Sequence, residues 1–102
     1  MKRFVIKYTH HPETGSVEAW HQRVQEFITA LDADPGLKGK ITYRCLKVKD
    51  SADYYHFVEA TDDAPNELAK REWFKGYTEE TKRVAGGEVH VMAMETIAET
   101  KG

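Results

Sequence analysis

Near its start the chain alternates, with Phe4, Ile6 and Tyr8 on one side and Val5, Lys7 and Thr9 on the other. That is the two-residue period of a β-strand. The polar loop His10-His11-Pro12-Glu13-Thr14-Gly15 interrupts it, and Ser16 follows as a helix cap, with Glu18 where the helix dipole favours an acid. Val17, Trp20, Val24, Phe27, Ile28 and Leu31 then recur at helical spacing and form one apolar stripe. Asp34-Pro35-Gly36 ends this helix, because proline cannot continue it and glycine tolerates the turn. Ile41 to Val48 reads as a second strand. The short polar link Lys49-Asp50-Ser51-Ala52-Asp53 predicts a hairpin into a third strand, Tyr54 to Ala60. Tyr55 and Phe57 occupy one face of that strand, and Tyr54 and Val58 the other, so it belongs at the centre of its sheet, covered on both sides.

Asp63 is placed to cap a second helix, with Pro65 in its first turn. Ala69, Trp73, Tyr77, Thr81 and Val84 share one stripe, whereas Leu68 lies off it, which predicts a bend or break near Lys70-Arg71-Glu72. Gly86-Gly87 closes the helix, and Val89 to Ala98 reads as the last strand, Val89, Val91 and Ala93 opposing His90, Met92 and Met94. The order is βαββαβ in one domain, residues 1–102. Right-handed crossovers turn it into a ferredoxin-like α+β fold, a four-stranded antiparallel sheet with both helices on one face. The other face then carries apolar side chains that its own helices cannot reach, and a second copy of the chain is the simplest cover.

Composition narrows the partners. Fifteen basic residues against 17 acidic ones give a net charge of −2, interspersed rather than blocked, which excludes the basic face that nucleic acid or an anionic membrane needs. No run approaches the roughly 20 apolar residues of a bilayer span, and Met1-Lys2-Arg3-Phe4 runs straight into strand without an apolar leader. The single cysteine, Cys45, excludes an internal disulfide. A cytoplasmic protein is expected.

Candidate chemistry is sparse. His10, His11 and Glu13 are residue types that ligate transition metals, but in a loop without a further ligand cluster they read as solvated histidines, and no metal site is expected. His56 and His90 alternate with apolar strand residues, so both should be at least half buried, either as hydrogen-bonded structural histidines or as a base tuned near neutral pH. Cys45 reads as a small hydrophobe. Glu59, within an apolar strand, needs a cation, Arg44 or a histidine. Trp73, Phe74 and Tyr77 read either as core or as the wall of a pocket for which Tyr8, Tyr55 and His56 supply polar groups.

Pro35-Gly36-Leu37 before the second strand, Tyr55-His56-Phe57-Val58-Glu59 as the third, and Trp73-Phe74 with Tyr77 in the second helix resemble the antibiotic biosynthesis monooxygenase-like group of dimeric α+β barrels over nearly the whole length. The resemblance implies a homodimer with a small-molecule cavity between sheet and helices. In catalytic members it implies oxygenation of phenolic or quinol substrates without metal or flavin. Thr61 stands where members that oxidise aromatics carry a tryptophan, and Thr78 where haem-degrading members carry a histidine. The second departure argues against haem degradation; the first favours a rival, a non-catalytic dimer that binds a small apolar ligand or serves as a scaffold. An isomerase of a similar barrel is a weaker third reading. On the leading reading, a monooxygenase acting without cofactor on a small aromatic or quinol-type molecule, His56 is the base and Tyr8 and Tyr77 are donors. Trp73, Phe74, Tyr55 and Phe57 bind the substrate. The scattered glycines hold no dinucleotide-binding pattern.

Overall fold

A computed structural model describes residues Met1 to Gly102. The alternation at the N-terminus becomes β1 (Lys2–Thr9), and the Ser16 cap starts α1 (Val17–Ala33), its side chain accepting from the Ala19 N–H at 3.0 Å. The hairpin is β2 (Ile41–Lys47) and β3 (Asp53–Ala60), turned through Asp50 at φ 61°, a left-handed conformation that aspartate tolerates better than most residues. The second helical region is two helices, α2 (Ala64–Ala69) and α3 (Glu72–Val84), separated at Lys70-Arg71, where the stripe analysis places the break. The last strand is β4 (His90–Met94).

All neighbouring strands are antiparallel, in the order β2-β3-β1-β4, and the helices lie on one face. The fold is the expected ferredoxin-like α+β arrangement, and β3 is central. Toward the helices the sheet presents Phe4, Ile6 and Tyr8 of β1, Tyr43 and Cys45 of β2, and Tyr54 and His56 of β3. Trp20, Val24, Phe27 and Leu31 of α1 close over them, with Tyr77 and Val84 of α3. Gly86, at φ 64°, ends the turn after α3; a Cβ there would stand 2.7 Å from the His11 ring, so a side chain would strain the backbone and have to displace that ring.

Three expectations are corrected. Asp63 does not cap α2: its carboxylate accepts instead from Lys40 Nζ at 2.9 Å and Thr61 Oγ1 at 2.7 Å, a charge-assisted arrangement that outcompetes the backbone amides. β4 stops at Met94, short of Ala98, because it pairs only with β1 and Met94 already faces Arg3 near the end of that strand. Glu59 pairs with Arg3 across the β1–β3 register, at 3.7 Å, and not with Arg44 or a histidine. In the single chain β3 is covered on one side only: Phe57 is 45% exposed on the face without helices. No helix is long and apolar enough to cross a membrane.

Candidate functional site

Between the sheet and α2–α3 lies a cavity of about 520 Å³, well within the usual range of small-molecule sites. Phe4 and Ile6 of β1, Ile41 and Tyr43 of β2, and Val58 and Ala60 of β3 form its floor. Pro65 and Leu68 of α2 and Phe74, Tyr77, Thr78, Thr81 and Lys82 of α3 form its roof, with Val89 and Val91 at the β4 side. Exposed Thr78 and Lys82 lie at its open edge. The Thr78 and Thr81 hydroxyls are spent on the carbonyls of Phe74 and Tyr77, at 2.9 Å each. The charged group left at that edge is the Lys82 ammonium.

Tyr77 is 3% exposed, and its buried hydroxyl makes no hydrogen bond of good geometry, although Tyr43 and Cys45 lie within reach of it. Its ring stacks on Phe27 at 3.8 Å and on Trp20 at 5.9 Å, and the Arg23 guanidinium sits 5.6 Å from its centroid. Tyr43 packs edge-on against the same Phe27 ring at 5.0 Å and hydrogen-bonds His56 Nδ1 at 2.9 Å. Nε2 of His56 is bonded to the Tyr8 hydroxyl at 2.8 Å, and that hydroxyl accepts from Trp20 Nε1 at 2.9 Å. The register explains the chain of bonds. Cys45 and Ile6 flank His56 in its row, so its ring reaches diagonally to Tyr43 on one neighbouring strand and Tyr8 on the other.

Burial sets the ionisation. His56 is 0% exposed, and desolvation lowers its pKa to about 4, so it is neutral at physiological pH. Desolvation likewise raises the Tyr8, Tyr43 and Tyr77 hydroxyls well above their ordinary value, and pushes Cys45 up to about 12. All of these groups stay neutral: His56 has lost its titrating proton, and the tyrosines and Cys45 keep theirs.

The structure therefore brings together Tyr8, His56 and Tyr77, but only Tyr77 and Phe74 of the expected set line the cavity. His56 as a base touching substrate is corrected: both its nitrogens are occupied and its ring is sealed. Trp73 is not the wall, since it lies half-buried against Phe27 at 5.9 Å while Phe74, the next residue along α3, takes that position. Tyr55 and Phe57 point to the opposite face, where Tyr55 carries the Lys7 ammonium 5.7 Å from its ring centre. His10 is buried rather than solvated, its Nε2 without a partner, whereas His90 is exposed rather than half-buried. His11 Nδ1 meets Glu13 at 3.2 Å, yet no three His, Cys, Asp or Glu side chains converge as metal donors. Tyr43 and Trp20 were missed as site residues. Tyr43 was legible in principle, because it alternates with Ile41 and Cys45 on the inward side of β2.

No protein-family model matches this chain, and no curated protein matches it by sequence. Solved structures do. A variant of SnoaB, a cofactor-independent oxygenase from Streptomyces nogalater, superposes with a TM-score of 0.76 at 14% identity, covering 99% of this chain and 97% of that one. An antibiotic biosynthesis monooxygenase gives 0.75 at 13% identity, over 96% and 100%. Rv0793 from Mycobacterium tuberculosis gives 0.74 at 14% identity, over 98% of each chain. The likeness is one of fold, end to end.

Proposed function

We propose that this protein is a monooxygenase that works without cofactor on a small aromatic or quinol-type molecule held between the sheet and α2–α3, as a homodimer. The cavity carries the reading: it is apolar, of ligand size, and lined by the aromatic residues Phe4, Tyr43, Phe74 and Tyr77. The shared fold with SnoaB, named a cofactor-independent oxygenase, supports it. The reaction balances without an external reductant. A phenolate's activated ring carbon, bearing one hydrogen, attacks dioxygen, and the peroxide formed loses that hydrogen with its outer oxygen as hydroxide to leave a quinone carbonyl; with the phenol's own proton, the second oxygen atom departs as water. The protein's share is to hold the ring dry between Phe74 and the floor and to stabilise the anion. The phenol's own proton leaves by the open edge near Lys82, since His56 cannot reach the substrate.

The test is oxygen uptake by metal-stripped protein with a panel of hydroquinones and activated phenolic ketones. The expected outcome is turnover above the protein-free autoxidation rate, rising with pH as the substrate ionises, and reduced about 10-fold or more in Tyr77→Phe. A rate equal to autoxidation across the panel overturns it. The second reading, a dimer that binds a small apolar ligand without reaction, is favoured by one observation: no histidine or carboxylate lines the cavity, His56 being sealed away at a pKa of about 4.

A further inference from the structure

We propose that the cavity takes an aromatic molecule bearing a carboxylate, its rings between the sheet and α2–α3 and its carboxylate at the open edge against Lys82. The inference rests on the reading of the cavity as a ligand site, and adds the charge of the ligand and the place where that charge sits.

Charge around the cavity is one-sided. Lys82 is the one charged residue that lines it, and no aspartate or glutamate does. The hydroxyls of Thr78 and Thr81, its polar neighbours along α3, are bonded to backbone carbonyls. Every other cation from α2 to the end of α3 is paired with an acid one turn earlier. Lys70 and Arg71 each meet Glu67 at 3.4 Å, Lys75 meets Glu72 at 3.3 Å, and Arg83 meets Glu80 at 2.6 Å. Glu79 stands at the same spacing before Lys82, yet Lys82 joins no ion pair. The dipole of α3 favours a cation in the last turn, and Arg83 meets that need equally well. What sets Lys82 apart is the mouth of an apolar cavity beside it. A lysine stem lies along apolar surface while its ammonium stays in water, so it can meet the charged end of a ligand where that end emerges. Phe4, Tyr43, Phe74 and Tyr77 suit a flat ring system inside. A cationic ligand would find no counter-charge here, and a second anionic group, held at the buried end, would be stranded among apolar side chains.

Equilibrium dialysis at neutral pH against 2-naphthoate and its neutral isostere 2-naphthamide tests this. A carboxylate costs more than an amide to strip of water, so a cavity without a cation should prefer the amide. Wild type should instead bind the naphthoate about five- to tenfold more tightly, the size of one partly exposed charge pair. That margin should shrink as salt is added. Lys82→Gln should erase the preference and leave the amide's affinity unchanged, whereas Lys82→Arg should keep it. Lys75→Gln removes a charge from the same helix away from the cavity and should change neither affinity. Both lysines are exposed, so these variants keep the fold. Equal affinities in wild type, or a preference that survives Lys82→Gln, overturns the inference and leaves the cavity reading in place. No saturable binding of either probe overturns both. A preference as expected with no oxygen uptake on any substrate retains this inference and removes the monooxygenase reading.

Discussion

At the scale of single residues, His56 shows how burial redirects chemistry. A histidine on a strand beside tyrosines suggests a base near neutrality, but full desolvation without a charged partner drives the opposite result. Its neighbours Tyr8, Tyr43 and Cys45 do not ionise in the acid range, so they offer no compensating charge. The consequence for stability follows from proton counting. The unfolded chain binds a proton at His56 below about pH 6.5, whereas the folded chain resists it down to about pH 4. Stability therefore falls as pH drops through that window, by about 3 kcal/mol for this group. His10, also shifted down by burial and by His21 and His11, adds a loss of the same sign. The expected result is a denaturant midpoint that declines from pH 6.5 to 4, with a flatter decline in His56→Gln. An unchanged midpoint across that range would mean His56 is charged or solvated in the fold.

At the scale of elements, the break at Lys70-Arg71 determines which aromatic residues of α3 meet what. Leu68 is buried from α2 while Tyr77, Thr81 and Val84 are buried from α3, so two short helices replace one continuous stripe. Arg71 anchors the break to the end of α1: its Nε lies 2.7 Å from Asp34 Oδ2 and its Nη2 3.1 Å from Oδ1. This paired geometry holds the Asp34 carboxyl below its usual range. Trp73 is consequently half-buried at the flank of the core, and Phe27 of α1 is its centre, contacting Tyr43, Trp73, Phe74 and Tyr77. Phe27→Ala should cost ~3–5 kcal/mol, the range for a well-buried aromatic residue. Trp73→Ala should cost less, about 2 kcal/mol, because part of its ring stays in water. Chemical denaturation of both variants checks the order, and a Trp73 cost equal to that of Phe27 would refute the placement of the break.

At the scale of the whole molecule, one sheet face lies open. Leu46, Phe57, Met92 and Met94 are exposed there, and Val5 is buried between Phe57 and Met92 in its row. Apolar side chains gathered on one open face suit burial against a second copy. A second copy laid face to face should bury at least about 1,200 Å². Light scattering should give a dimeric mass at micromolar concentration, and Phe57→Lys should shift it to monomer, since a lysine at the middle of an apolar interface has no counter-charge. A monomeric wild type would remove the barrel assembly, leaving the fold of the single chain intact.

Much of this was legible in the chain itself. Strand and helix periods, the Ser16 cap, the stop at Asp34-Pro35-Gly36, the break near Lys70 and the Gly86-Gly87 turn depend on neighbours within a few positions, and sequence records those directly. Alternation also shows which strand residues share a face, so Tyr8, Tyr43 and His56 were bound to face one way if their strands adjoined. It does not record how strands slide past one another. The register alone puts His56 diagonally between Tyr8 and Tyr43, and the packing of α1 alone brings Trp20 to Tyr8. The same holds for Phe74 rather than Trp73 at the cavity wall, for buried His10 in a loop of polar residues, and for Glu59 with Arg3. Each is a meeting of residues distant in sequence, decided by which side chains exclude water from one another once the sheet and helices close.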